Sequence, residues 1–299
     1  MLRRASLLAT LFMVASCSLF PSGSAPGPLR LALIADCQYA DADDRGVRLY
    51  RRSPAKLEEA VSTLAALEPD ALLHLGDFID RDWESFDTVV PILERMPCPV
   101  HHVLGNHDFE VADERKLDVP ARLGQAERYA AVELPGGWRL LILDGNDFSY
   151  VAWPEEHPRA EASRRFHREV NPDSPTWNGG IGPEQMEWLR RELVRADAEG
   201  TPVLVACHFP LWPDDVHNLW NAEEVRELLC AHACVKLYVN GHNHAGNYAE
   251  REALPFLTLE GMLDTETNAF ALLLLEGDRA ELRGFGRATS RVMQLRPAR

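Results

Sequence analysis

Basic charge is what this 299-residue chain has least of: 31 Lys and Arg stand against 46 Asp and Glu, a formal net charge of −15. That deficit excludes broad contact with nucleic acid, which needs basic patches to neutralise phosphates. An acidic chain that handles phosphate esters must draw positive charge from elsewhere, and bound metal is one source. No pair of cysteines has the C-x-x-C spacing of a zinc or redox motif. There is no internal repeat, and no linker-like segment beyond the N-terminal region marks a second domain. The apolar stretch Leu7–Val14 is too short to span a bilayer comfortably, which takes about 20 residues.

That stretch has another reading. "MLRRASLLATLFMVASC" sets two arginines before the apolar residues and small residues after them, the layout of an export signal. "VASC", Val14–Cys17, resembles the lipobox of bacterial lipoproteins, whose cysteine is acylated and becomes the new N-terminus. The expectation is a lipoprotein signal peptide over residues 1–16 and a lipid anchor on Cys17. The protein would then be exported to the cell envelope, with Ser18 pointing to the outer membrane and the domain facing the periplasm. Losing Arg3 and Arg4 with the signal would take the charge from −15 to −17. Residues 17–29, rich in Ser, Pro and Gly, read as a flexible tether, and residues 30–299 as one domain. The five remaining cysteines are an odd number, so at least one would be unpaired or paired between chains in an oxidising compartment. Cys37 and Cys207 lie in apolar runs and read as buried small hydrophobes.

The domain alternates strand-like and helix-like segments. "LRLALIAD", "DALLHLGD", "PVHHVLGN", "YAAVEL", "WRLLILD", "TPVLVAC", "VKLYVN" and "PFLTLEG" read as strands. "SPAKLEEAVSTLAAL", with Ser53 as N-cap and Pro54 at the first helical position, reads as a helix. So do "WESFDTVVPILERM", "GPEQMEWLRRELVRADA" and "NAEEVRELLCAH". The tail "AFALLLLEGDRAELRGFGR" reads as a terminal hairpin. The pattern predicts an α/β fold of two packed sheets flanked by helices.

Polar residues cluster where these strands stop. Asp36 ends the first, with Gln38 two positions on; Asp77 ends the second in "GDFID"; Asn106, His107 and Asp108 end the third in "GNHD". His208 follows "VLVAC", and His242 and His244 follow "KLYVN" in "GHNH". Ligands of open α/β sheets sit beyond the carboxyl ends of strands. A lone Asp after a strand is usually a turn former. Five strand ends, each with a metal-competent side chain, are not explained by turns alone.

Taken in order, these motifs resemble the calcineurin-like metallophosphoesterase superfamily. "ADCQYAD", "NGGIGPEQMEWL" and "LTLEGMLDT…AF" are more narrowly similar to the manganese-dependent ADP-ribose/CDP-alcohol diphosphatases, which also carry Gln in the first motif. The segments after "QYAD" and after "GNHD" are shorter than in the animal members. The resemblance implies that Asp36, Gln38 and His244 bind one divalent ion and Asn106, His208 and His242 a second, with Asp77 bridging. The pair would activate a water for in-line attack on phosphorus. His107 would stabilise developing charge or protonate the leaving group, and Asp108 would orient His107.

Gln38 stands where an Asp-x-His motif places imidazole. Its oxygen is neutral and hard, so the swap keeps the site's charge but shifts preference towards Mn²⁺ or Mg²⁺ and away from Zn²⁺. With the other ligand positions filled, Gln38 reads as a replaced ligand. The implied cofactor is a pair of divalent ions, Mn²⁺ foremost, with Mg²⁺, Fe²⁺ and Zn²⁺ as alternatives. The implied substrate is a small phosphorylated compound, nucleotide-linked, cleaved at its phosphoanhydride. Other phosphodiesters or monoesters, or a catalytically silent envelope protein binding metal or nucleotide, are the alternatives. Nothing in the sequence implies a protein partner. For substrate contact the candidates are Arg51 and Arg52 (with Arg45 and Arg48) for a second phosphate, Asn178 in "TWNGGIG", and Tyr39, Trp177 and Trp212 for stacking on a base.

Overall fold

The computed structural model describes residues 27–297. The expected signal peptide, Cys17 and the tether up to residue 26 lie outside the described residues. In chain order the strands are β1 (Leu29–Ile34), β2 (Ala71–His74), β3 (Val100–His102), β4 (Ala130–Leu134), β5 (Trp138–Ile142), β6 (Phe148–Ser149) and β7 (Gly179–Gly180). They continue as β8 (Val203–Ala206), β9 (Val235–Asn240), β10 (Asn247–Arg251), β11 (Leu254–Thr258), β12 (Ala269–Glu276), β13 (Arg279–Gly286) and β14 (Arg291–Gln294). The helices are α1 (Ser53–Ala65), α2 (Ser85–Leu93), α3 (Val119–Arg122), α4 (Pro158–Val170), α5 (Pro183–Glu199) and α6 (Ala222–Ala231).

Two six-stranded sheets carry the fold, in the orders β14-β13-β12-β1-β2-β3 and β10-β11-β9-β8-β5-β4, with β6 and β7 as a separate ribbon. Strands β1, β2 and β3 are parallel, as are β5, β8, β9 and β11. Side-chain alternation explains the layering. Leu29, Leu31 and Leu33 of β1 join Leu140, Leu204, Leu237 and Leu273 in the core between the sheets. Ala32 and Ile34 face the other way, onto Leu57, Ala60, Val61 and Leu64 of α1 and Phe86 and Val89 of α2. On the far side, Leu141, Val203 and Val205 pack against Met186, Leu189 and Leu193 of α5 and Val225 and Leu229 of α6. The central strands are covered on both faces and therefore read as unbroken apolar runs. The helices keep the i, i+3, i+4, i+7 spacing of a one-sided stripe.

The expected α/β sandwich is present, with local corrections. Leu29, expected as the last tether residue, opens β1. Ser53 is not an N-cap: a 3-10 turn over Tyr50–Arg52 runs into α1, so Ser53 already has helical angles (φ −55°, ψ −41°) and its buried hydroxyl has no partner. The terminal hairpin forms with Glu276 opposite Arg279 and Gly277 at φ +58°, and β14 adds a third strand. Helix α4 escapes the sequence pattern because it is mostly polar, burying only Ala160, Ser163 and His167. Among the described residues no helix is long and apolar enough to cross a membrane. Cys37, Cys207 and Cys234 are buried thiols, and Cys98 and Cys230 are free and half-buried.

Candidate metal centre

Strands β1, β2, β3, β8 and β9 end on one rim, and the polar residues that follow them converge there. The chain closes tightly at two glycines. A Cβ on Gly76, whose φ is +95°, would lie 2.5 Å from Nδ1 of His208, and one on Gly105 would lie 2.1 Å from Oδ1 of Asp77. Neither position has room for a side chain. Asp36, Gln38, Asp77, Asn106, His208, His242 and His244 are all buried, none more than 9 % exposed.

Asp77 lies at the centre. Its Oδ2 accepts from Nε2 of Gln38 at 2.8 Å and lies 3.2 Å from Nε2 of His208. Its Oδ1 accepts the backbone N–H of His107 at 2.8 Å. On one side Nε2 of His244 lies 3.3 Å from Nε2 of Gln38 and 3.6 Å from Oδ1 of Asp36. On the other, Nδ1 of His242 lies 3.1 Å from Nε2 of His208. The carboxylate of Asp77 thus touches both halves of the cluster.

Each histidine is held from behind. Nδ1 of His208 donates to the carbonyl of Leu75 at 2.8 Å, Nδ1 of His244 donates to Oδ1 of Asp264 at 3.0 Å, and Nε2 of His242 donates to Oδ1 of Asn178 at 3.0 Å. These contacts fix the tautomers so that the opposite nitrogens face the cluster. Asp264 lies inside the "LTLEGMLDT" motif without being singled out there, and the Leu75 carbonyl carries no local signal that would reveal it. Asn178 reaches the centre, but fully buried behind His242, where its amide nitrogen donates to Ser174 and Val216. It orients a ligand position and does not face substrate.

Charge follows geometry. Burial would raise Asp77, but His208 and His107 overcome it and hold its carboxyl well below the usual range. Burial also works against charging His208, yet Asp77 lifts it to about 9. Burial beside His208 pushes His242 far down, and burial pushes Asp36 up. One proton on Nε2 of His208 therefore sits where Asp77 Oδ2 and the lone pair of His242 Nδ1 converge. A cation binding there must displace it. Oε1 of Gln38 and Oδ1 of Asn106 are buried without partners. Two stranded oxygens beside two carboxylates and three imidazoles fit divalent cations. For Gln38 this requires the amide to turn over, since its nitrogen now faces Asp77; amide oxygen and nitrogen exchange places by rotation about one bond.

His107 stands at the edge, its side chain 19 % exposed. Its Nδ1 lies 3.3 Å from the carbonyl oxygen of Asp80, 3.5 Å from that residue's Oδ1 and 3.6 Å from Oε1 of Glu110. The expected pairing with Asp108 does not form. Asp108 accepts instead from the backbone N–H groups of Asp77, Phe78, Ile79 and Gly105, at 2.8–3.3 Å. It ties the "GDF" and "GN" loops together, and Asp80 takes the place expected of it beside His107.

The substrate candidates separate. Arg51 pairs with Asp41 and Asp43 at the surface and Arg52 with Glu266, so neither faces the cluster freely. The charge of Arg48 is the one in this run that acts on His244 and Asp264, and its backbone bridges Asp264. Trp212 packs on the outer core with Arg226 and Arg251 within 5.0 Å of its ring. Tyr39 is half-buried against the α1–α2 layer. Trp177 is 40 % exposed, its ring 5.2 Å from those of His242 and His217. A second group of metal-competent atoms, Asp197, His232 and Cys234, lies elsewhere. There both carboxylate oxygens are already used, by Nδ1 of His232 at 2.7 Å and the backbone N–H of Cys234 at 2.8 Å. That group is a self-satisfied brace.

Two packed sheets with this donor set at the strand ends define a metallophosphoesterase. A profile of the calcineurin-like phosphoesterases matches residues 29–246, and the chain belongs to that family. It is 31 % identical to the manganese-dependent ADP-ribose/CDP-alcohol diphosphatase of Xenopus tropicalis, covering 88 % of this chain and 93 % of that one. The human protein of the same name is 29 % identical, over 89 % of this chain and 93 % of its own. A dimetal phosphatase from Danio rerio superposes with a TM-score of 0.80 at 27 % identity, covering 89 % and 99 % of the two chains.

Proposed function

We propose that this metal-dependent phosphoester hydrolase cleaves the phosphoanhydride of nucleoside diphosphate-linked compounds of the ADP-ribose and CDP-alcohol type, with two manganese ions. The observation that carries the reading is Asp77 Oδ2, in contact with both halves of the cluster. Asp36, Gln38 and His244 would hold one ion, Asn106, His208 and His242 the other, and Asp77 would serve both. When bound, such a pair supplies the positive charge that an acidic chain lacks and lowers the pKa of water. The hard oxygens of Gln38 and Asn106 favour manganese or magnesium over zinc. His107 turns Nδ1 to Asp80, so a proton on Nε2 is the one available to a departing phosphate oxygen. The exposed ring of Trp177 beside His242 offers a face for a base.

The test is hydrolysis of ADP-ribose, CDP-choline and a chromogenic diester by the purified chain, with and without Mn²⁺. The expected result is manganese-dependent release of AMP and CMP. Turnover of the diester alone would overturn the substrate assignment. For location we propose the lipid anchor on Cys17. Cys17→Ser should leave the membrane fraction with its specific activity intact, whereas an unmodified mature N-terminus at another residue in fully soluble protein would sink the anchor.

A further inference from the structure

Lys56 lies on α1, 6 % exposed, on a helix that contributes none of the candidate ligands. Its ammonium faces four successive carbonyls: Met262 at 2.8 Å, Leu263 at 3.3 Å, Asp264 at 3.2 Å and Thr265 at 2.5 Å. Three N–H bonds serve four acceptors, so at least one is shared. Burial pushes this amine down to about 8, which leaves it largely charged at neutral pH.

The segment it holds is stitched to one half of the metal centre. The N–H of Met262 donates to the carbonyl of Ala35 and that of Leu263 to the carbonyl of Asp36, both at 2.9 Å. The N–H of Gly261 donates to the carbonyl of His244 at 3.2 Å. The side chain of Asp264 receives Nδ1 of His244. No hydrogen bond among the described residues ties residues 261–265 to Asn106, His208 or His242. Four carbonyls aimed at one point repel one another unless a cation sits there, and a neutral side chain would leave them buried and poorly paired.

We infer that Lys56 is a positioning residue for one metal site only: it pins residues 262–265 and so sets Asp36 and His244 for the ion they share with Gln38. The inference rests on the ligand assignment proposed above. Removing the ammonium frees the segment, lets Asp264 and His244 turn, and weakens that ion. The histidine side chains of the second site are held by Leu75 and Asn178 instead, and only the backbone N–H of His242 leans on Asp36, so the second ion keeps its affinity. Disturbing the outer partners of metal ligands characteristically lowers affinity by about 10–100-fold, and a change of that order is expected at one site alone.

The experiment is equilibrium dialysis of the full chain against buffered Mn²⁺, with bound metal counted. Wild type should take up two equivalents. Lys56→Met should bind one ion at wild-type affinity and the other about 10–100-fold more weakly. Lys56→Gln, which restores two donors without charge and is the milder change should Lys56→Met misfold, should fall between them. Two ions held by the folded variants as tightly as in wild type would overturn the inference, and so would equal weakening of both sites. A wild-type chain that binds fewer than two ions would instead remove the ligand assignment.

Discussion

Asn178→Ala separates two roles that one residue could play. As a substrate contact, its loss would raise KM and leave metal binding alone. The geometry predicts the opposite. Oδ1 of Asn178 is the acceptor for Nε2 of His242 at 3.0 Å, and its amide nitrogen donates to the carbonyl of Val216 at 2.8 Å. The alanine variant strands both groups in a buried place, which costs about 1–3 kcal/mol of stability. It also frees the imidazole to rotate or change tautomer. The loss of such a partner lowers metal affinity by about 10–100-fold, or roughly 1.4–2.8 kcal/mol. Competition of Mn²⁺ between the protein and a chromophoric chelator would measure the affinity. Chemical denaturation of the metal-free variant would measure the stability separately. Asn178→Asp should recover most of the affinity, since a carboxylate also accepts from Nε2. Wild-type manganese affinity in Asn178→Ala together with a raised KM would refute the argument and return Asn178 to the substrate pocket.

Four further outcomes follow from the same contacts. His107→Asn should keep both ions while kcat falls by roughly 10²–10⁴, and a substrate with a very good leaving group should suffer less; unchanged rates on every substrate would remove the proton-donor role. Gln38→His should stay folded and shift its activating metal from manganese towards zinc, read as the ratio of rates with each ion. Asp108→Asn should cost about 1–3 kcal/mol in denaturant unfolding, because an amide nitrogen cannot accept from the backbone N–H groups that one carboxyl oxygen now serves. Asp197 feels burial, which raises its pKa, but the hydrogen bonds from His232 and Cys234 prevail and lower it. Its stabilisation is therefore present above the unfolded value of about 3.9 and is lost as pH falls through the lower folded one. Asp197→Asn should destabilise the fold at pH 7 and converge on wild type as pH falls through the lowered folded value, and a gap that stays constant as acid is added would contradict that sign.

The centre was largely legible because parallel strands deliver their ends to one rim, and a polar residue after an apolar run is visible in sequence. What stands behind those residues was not. Asp80, Asp264 and the carbonyl of Leu75 act through contacts between segments far apart in the chain. Asp264, for example, meets a histidine 20 positions away, and although it lies in the "LTLEGMLDT" motif nothing in that motif says which residue it would meet. Asp108 misled for a related reason: adjacency to His107 suggested a pair, whereas the turn at residues 107–109 points the two side chains apart. In the basic run from Arg45 to Arg52, Arg51 and Arg52 are taken up by acidic surface residues, common in a chain of charge −15.

The backbone accounts for the remaining feature of the site. Asp36, Gln38, Asp77 and His242 have φ of +53°, +43°, +55° and +68°, the left-handed region that non-glycine residues seldom adopt. Such angles cost on the order of 1–3 kcal/mol each and persist only where surrounding contacts fix them. Here those contacts are identifiable. Asp36 N–H donates to Gly76 and Gln38 N–H to the carbonyl of Asp77; Asp77 N–H donates to Asp108, and His242 N–H to the carboxylate of Asp36. Strained turns at the ends of three strands are thus bound to each other and to Asp108 through backbone carbonyls and the carboxylates of Asp36 and Asp108. Those carboxylates also repel: Asp77 is among the causes that raise Asp36. Without metal, the proton shared by His208, Asp77 and His242 is one source of compensating positive charge. Replacing it with divalent ions relieves the repulsion while leaving the backbone contacts intact, so metal binding and loop stability should rise together.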